Sequence, residues 1–324
     1  MNVAVCGLGS YVAQAGVIPA LRRSPWTRLL GGTTRSLSTA SQVLTTDETH
    51  YRDYATMLAD PEVEAIYLPL PNDLHFAYIQ RAVEAGKHVL CEKPLFFTEG
   101  DYARLDNLLA DTGILVSEAF MSSYHPRLRA VLSQVAAGSY GPVINVQTTF
   151  TGTLTPLSGY RLDATRGGGS LFDVGIYAIY PIISLLGAEP RDIWTTVMPS
   201  EQEHPVDLTL EALLSYDGGV AATFTTSFIT GESQALRILT REATIEMDHV
   251  CTPRLEDTTW TVTTNREVTN HAVAGCDPYQ AMVDEVFASF SNGHEPSWSL
   301  TESRRLAHLL YRIHATIQSP RRSN

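Results

Sequence analysis

The segment NVAVCGLGSYVAQAGVIPALRR, residues 2–23, determines how the first half of the chain is read. The apolar run NVAVC has the length of a buried strand, and the glycine-containing CGLGSYVA (6–13) follows it directly. Gly7 suits a tight turn, and Gly9 lets a phosphate approach the backbone. Leu8, Ser10 and Tyr11 complete the loop, and the next helix offers its N-terminal amides and dipole to an anion. The third glycine of the usual fingerprint is replaced by Val12. Strand, glycine turn and helix in this order predict a dinucleotide-binding unit.

The alternation continues to about residue 120. RLLGGTT (28–34), EAIYLPL (64–70), KHVLCE (87–92) and ILVSEAF (114–120) read as strands. YATMLAD (54–60), HFAYIQRAVEAG (75–86) and TEGDYARLDNLLADTG (98–113) read as helices. Of these, the second ends at Gly86, and the third is opened by Thr98 with Asp101 at capping-box spacing. Continuous apolar strands separated by helices imply a parallel sheet covered on both faces. From about residue 143 the apolar positions alternate singly, in VINVQTTF (143–150) and in a hairpin around Asp217–Gly219. There Leu210, Ala212, Leu214 and Tyr216 share one face. Strands at 235–240, 244–248 and 260–264 follow, then helices at 279–290 and 301–317. These patterns predict an α/β fold class: a Rossmann dinucleotide-binding domain over 1–120, then an α+β domain over 121–324 with an open, mostly antiparallel sheet. The tail SPRRSN reads as frayed.

Composition narrows the function. The 324 residues are 44% hydrophobic and carry a net charge of -12, which argues against nucleic acid or an anionic membrane as partner. No apolar run reaches the length of a membrane span, and the start reads as a strand rather than a signal peptide. Four scattered cysteines, two of them in predicted strands, suit a reduced, cytoplasmic protein. The histidines form no ligand cluster, so no metal is expected. No GxSxG is present, which disfavours a hydrolase.

After the second strand an NAD enzyme usually carries an acid for the ribose hydroxyl. This chain has none before Asp47. It has Thr33, Thr34, Arg35 and Ser36, donors suited to a 2′-phosphate, in a segment made basic by Arg22, Arg23 and Arg28. NADP is therefore expected rather than NAD.

GKHVLCEKPL (86–95) holds both lysines of the chain, against 21 arginines elsewhere. Lys87 reads as a solvated strand-start residue. Lys93 sits between Glu92 and Pro94. A lysine can exchange a proton where an arginine effectively cannot, which suits a group that must donate to a substrate oxygen. After GGG (167–169), Asp173 and Tyr177 are four residues apart, a spacing that shares one helix face, and Pro181 should kink or end that helix near Tyr180.

In order after the GxG, IYLPLPNDLH (66–75), AGKHVLCEKPL (85–95) and GGGSLFDVGIYAI (167–179) resemble the glucose–fructose oxidoreductase / inositol dehydrogenase family, Gfo/Idh/MocA. EAFMSSYHP (118–126) and YRLDATRGGG (160–169) are similar to its glucose–fructose oxidoreductase, dimeric dihydrodiol dehydrogenase and NADP-xylose dehydrogenase branch. Ser123 stands where that branch often has arginine. The resemblance implies an active site between the two domains. It makes Lys93, Tyr177 and Asp173 the catalytic candidates, with Pro71, Asn72, His75 and Glu92 on the cofactor side and Arg161 as a further substrate contact. The implied reaction is hydride transfer between NADP(H) and a secondary alcohol or ketone of a sugar, polyol or dihydrodiol. An NAD-dependent inositol-type dehydrogenase, a nucleotide-sugar ketoreductase and a non-catalytic nucleotide-binding sensor are the alternatives, and the choice of Lys93 or Tyr177 as proton donor stays open. A homodimer or higher homo-oligomer is expected, partly because VAATFTTSF (220–228) places apolar residues alternately on a sheet that could pair with a second copy.

Overall fold

The computed structural model describes residues 1–186 and 189–318; the tail SPRRSN lies outside the described residues. The chain forms two compact units. The first comprises Met1–Met121 and Tyr279–Arg304, and the second Ser122–Pro278 with the chain from residue 305 onward. Two continuous stretches divided at residue 120 do not capture this return. It is made by apolar contacts remote in sequence: Phe290 stacks on His88 at 5.3 Å, and Trp298 meets Phe120 at 4.9 Å.

The first unit is β1 (Asn2–Cys6), α1 (Ile18–Arg23), β2 (Arg28–Thr33), α2 (Leu37–Val43), β3 (Thr49–Tyr51), α3 (Tyr54–Ala59), β4 (Ala65–Leu68), α4 (His75–Glu84), β5 (His88–Glu92), α5 (Glu99–Leu109) and β6 (Val116–Ala119). All its strand pairs are parallel, in the order β3-β2-β1-β4-β5-β6. This is the doubly wound arrangement, whose order reverses between β1 and β4 and opens a crevice at their carboxyl ends. Val3, Ala4, Val5, Ile66, Tyr67, Leu68, Val89 and Leu90 are fully buried, as strands covered on both faces require. The sequence reading missed α2 and β3, which are short and rich in Ser and Thr. The capping-box pair does not bond reciprocally to backbone; instead Thr98 Oγ1 donates to Asp101 Oδ2 at 2.5 Å.

The second unit contains α6 (Pro126–Ala136), β7 (Val143–Thr153), α7 (Ile176–Leu186), β8 (Asp192–Pro199), β9 (Asp207–Ser215), β10 (Ala221–Ser227), β11 (Ile229–Thr240), β12 (Ala243–Asp248), β13 (Thr259–Thr264) and β14 (Val268–Ala272); α8 (Pro278–Ser291) belongs to the first unit from Tyr279 on, and α9 (Leu300–Gln318) counts with the first unit to Arg304 and with the second from Arg305. Its eight strands run β14-β13-β12-β11-β7-β10-β9-β8, antiparallel except for the β7–β10 pair. A π-turn at Leu171–Gly175 leads into α7. Of the two outcomes expected at Pro181, a kink or an end, the helix does not end: α7 runs through Pro181 to Leu186. Pro181 offers no N–H to the Tyr177 carbonyl, and β7 supports the same turn through Thr148 Oγ1, which donates to Ala178 O at 2.8 Å. The stretch Ala164–Leu186 is apolar enough for a membrane span, but 67% of its most apolar window is buried in the protein.

The expectation about the free sheet face also needs correction. Ala222, Phe224 and Phe228 are buried, with α7 packed on β7 and β10, so the alternating apolar residues belong to the core. The opposite face carries a row Trp194–Leu213–Thr223–Gln147 across β8, β9, β10 and β7. Trp194 and Leu213 are its exposed apolar members.

Candidate active site

Four loops of the first unit lie at the carboxyl edge of its sheet, after β1, β2, β4 and β5. Gly7 has φ +126, a value open to glycine, and its backbone turns against Pro69 and Leu70 of the loop after β4. The Gly7 and Leu8 amides donate to Thr33 O at 3.2 and 2.9 Å, so they tie the turn to β2. Leu8 is fully buried and belongs to the core. Ser10 Oγ accepts from Ala13 N at 3.4 Å, and Tyr11 is 83% exposed. A Cβ added to Gly9 would meet no atom within 4 Å. Packing of the chain on itself therefore gives no reason for glycine there, whereas a phosphate lying against the backbone does. The close approach usually made by the third glycine occurs one turn later, where Gly16 packs on the Tyr279 ring; a Cβ at that position would come within 2.8 Å of it. Helix geometry adapts here through a π-turn at Ala13–Val17, ahead of Pro19 in α1.

After β2, Thr34 Oγ1 accepts from Ser36 N at 3.3 Å, and Ser36 caps α2 by accepting from Thr39 N at 3.2 Å. Arg35 is exposed beside them. Of the other basic residues in this segment, Arg22 pairs with Glu48 at 2.5 Å and Arg23 bonds Gln280 at 2.9 Å. Thr34 and the exposed Arg35 suit the 2′-phosphate end of a dinucleotide, and the open Gly9 suits its pyrophosphate.

The loops after β4 and β5 are joined by His75. Its Nδ1 faces Pro94 O and Leu95 O at 3.0 and 3.1 Å, and its Nε2 faces Leu70 O at 2.9 Å. The ring is fully buried, so it braces the loops from beneath. Burial pulls its pKa down, against the three carbonyls. Asn72 is buried and Pro71 half-buried in the same loop. Glu92 accepts from the Tyr67 hydroxyl at 2.6 Å and from Lys93 N at 3.4 Å. Burial pushes its carboxyl above the usual range, opposed by Tyr67 and by the Lys93 charge. Lys93 is half-buried, and the bond to Pro94 is cis. Lys87, read as solvated, is instead buried: its Nζ donates to Asp60 O at 3.0 Å and Val63 O at 2.6 Å. A strand-start position does not reveal that these two carbonyls turn inward.

In the second unit Arg161 Nε donates to Asp173 Oδ2 at 2.7 Å. Burial works against the Arg161 charge, and Asp173 more than offsets it, leaving the pKa raised. Tyr177 is buried against Phe150, with ring centroids 5.4 Å apart. Asp173 lies in the π-turn and Tyr177 in the first turn of α7, so regular α-helical spacing does not describe the pair. Asp207, which the sequence reading missed, anchors this helix. Its Oδ2 accepts from Ser170 Oγ at 2.6 Å and Leu171 N at 2.7 Å, and burial lifts its carboxyl to about 6. No local pattern announces an acid that caps a helix from a strand 36 residues away. Ser123 is buried. No group of three metal-ligating side chains occurs among the described residues.

The profile of an oxidoreductase family with an NAD-binding Rossmann fold, Gfo/Idh/MocA, matches residues 1–120, and that of the GFO/IDH/MocA C-terminal domain matches 128–246. D-xylose 1-dehydrogenase (NADP(+)) 2 of Haloferax volcanii is 31% identical over 262 residues, covering 79% of this chain and 78% of that protein. The chain belongs to the Gfo/Idh/MocA oxidoreductase family. Within this family, the dTDP-3,4-didehydro-2,6-dideoxy-alpha-D-glucose 3-reductase of Streptomyces violaceoruber is 31% identical over 255 residues, 78% of this chain and 74% of that protein. Among solved structures, a 3-ketoreductase from Actinomadura kijaniata in complex with NADP and TDP-benzene superimposes with a TM-score of 0.88 at 26% identity, covering 97% of each chain. That ketoreductase has also been solved with a lysine replaced by glutamate or alanine and with a tyrosine replaced by phenylalanine, at positions 84 residues apart.

Proposed function

We propose that this Gfo/Idh/MocA protein is an NADP(H)-dependent oxidoreductase acting on a secondary alcohol or ketone of a sugar, polyol or dihydrodiol. The observation that carries the reading is the position of Lys93. It follows β5 at the same sheet edge as the open Gly9 turn and the Thr34–Arg35 loop, and its neighbour Glu92 is anchored by Tyr67. Further support comes from the 84-residue separation of Lys93 and Tyr177, which equals that of the lysine and tyrosine replaced in the ketoreductase.

When bound, NADP(H) supplies or accepts the hydride. Gly9 to Tyr11, presented by the turn that Gly7 and Leu8 hold against β2, would lie along its pyrophosphate, and Thr34 and Arg35 would bond the 2′-phosphate. Lys93 donates a hydrogen bond to the reacting oxygen and stabilises its developing negative charge. Tyr177 gives the proton in reduction and takes it in oxidation. Asp173 orients a substrate hydroxyl, and Arg161 fixes the carboxylate that does so.

A second reading, a ketoreductase of nucleotide-linked deoxysugars, is favoured by the match to the Actinomadura enzyme over 97% of both chains. A panel of aldoses, ketoses, inositols, trans-dihydrodiols and a dTDP-linked 3-ketosugar, followed by NADPH absorbance in both directions, separates the two. Turnover of the dTDP-sugar alone selects the second reading, and no turnover of any of these compounds contradicts both. We further propose a homodimer formed through the Trp194–Leu213 face. Sedimentation velocity should show twice the monomer mass, reduced to the monomer by Leu213→Lys.

A further inference from the structure

The bend that follows Lys93 is held by buried side chains. Leu95 N donates to Glu118 Oε1 at 2.7 Å, while Leu95 O and Pro94 O face His75 Nδ1. The other Glu118 oxygen, Oε2, accepts from Trp298 Nε1 at 2.9 Å. Glu118 is 2% exposed and Trp298 4%. Burying a carboxylate in this way is costly, and burial accordingly pushes its pKa up. A structural role in β6 alone does not call for a carboxylate. Two donors, one on each oxygen, do, because a carboxylate accepts on both oxygens, whereas glutamine offers one acceptor and one donor. One of those donors belongs to Leu95, two residues from the catalytic candidate. The other belongs to an indole that returns to this unit from 180 residues away.

We propose that Glu118 is a positioning residue for Lys93, holding the 93–95 backbone through the Leu95 amide while Trp298 fixes its carboxylate. This deepens the functional reading above and rests on it. Lys93 needs such support because its own loop has no ladder or helix beyond Glu92, and a misplacement of about 1 Å at a reacting group costs about 10²-fold in rate.

The test uses the full chain, NADPH, and whichever compound of the panel turns over fastest. Glu118→Gln should lower kcat about 10²-fold, with the Kd for NADPH (by fluorescence titration) within about 2-fold of the parent. The loss arises because the new amide must oppose either Leu95 N–H or the indole N–H. Adding Trp298→Phe removes the opposed donor, so the Glu118→Gln/Trp298→Phe double variant should recover at least about 10-fold in kcat over Glu118→Gln. Should Glu118→Gln fail to fold, the double variant is compared with Trp298→Phe alone, and kcat values within about 10-fold of each other support the role. A Glu118→Gln enzyme with near-parental kcat overturns it. So does a folded double variant that recovers nothing, or that falls about 10²-fold below Trp298→Phe. Lys93→Met separates the two levels. If Lys93→Met is inactive and Glu118→Gln is normal, only the positioning role is lost, whereas an active Lys93→Met removes the functional reading itself.

Discussion

Lys87→Met should destabilise the protein without impairing catalysis. Methionine keeps most of the length and volume of the lysine stem but removes the ammonium that bonds Asp60 O and Val63 O. A hydrogen bond from a charged donor contributes about 1.5–3 kcal/mol, and a buried acceptor left without one loses comparably. The Val63 bond is buried, so its carbonyl has no water to turn to, whereas the Asp60 bond is only part-buried and can be partly replaced by solvent. Relief of the desolvation of the ammonium offsets some of the loss, leaving a net cost of about 2 kcal/mol. At about 2–4 °C per kcal/mol for units of this size, the melting temperature falls by about 4–8 °C. The assay is a thermal melt by circular dichroism without cofactor, since bound NADPH would shift the midpoint by mass action. Lys87→Arg should not restore the parent value, because a planar fork does not replace a compact ammonium between two carbonyls. A Lys87→Met protein that melts within about 1 °C of the parent would refute this account of the residue.

Two other perturbations test the cofactor end and the helix anchor. Arg35→Asp replaces a donor fork with a repelling charge, so the ratio of kcat/KM with NADP to that with NAD should fall about 10²-fold, and an unchanged ratio contradicts the role given to Arg35. Asp207 has its carboxyl raised to about 6 from 3.8, so between these values the folded protein keeps a proton that the unfolded chain releases. Its contribution to stability is complete below about 4 and is lost as pH rises through about 6. Relative to Asp207→Asn, the parent should therefore lose up to about 3 kcal/mol between pH 4 and 7, at 1.36 kcal/mol per unit. A parent-minus-variant difference that stays flat across that range contradicts it.

The first unit was largely legible because parallel strands buried on both faces read as unbroken apolar runs, and because the glycine turn sits directly after the first of them. Lys93 stood out through its proline and glutamate neighbours. The residues that hold the site in place were less visible. His75 looks like a cofactor-loop residue in sequence, yet its ring nitrogens are taken up by the carbonyls of two loops. Glu118, Trp298 and Asp207 act through partners 23 to 180 residues away, and no local periodicity encodes such pairs. Alternation in VAATFTTSF correctly implied a strand with one apolar face, but alternation cannot say whether a helix or a second copy covers it. A proline in sequence signals either a kink or an end, and local rules cannot weigh the tertiary support that lets a helix continue past it, here the packing of α7 on β7 and β10.

The most direct measurement of the central claim is turnover and NADPH binding of Lys93→Met on the same preparation. The account predicts loss of kcat by at least about 10³-fold, with NADPH affinity and melting temperature close to the parent values. Near-parental kcat in that variant would contradict it.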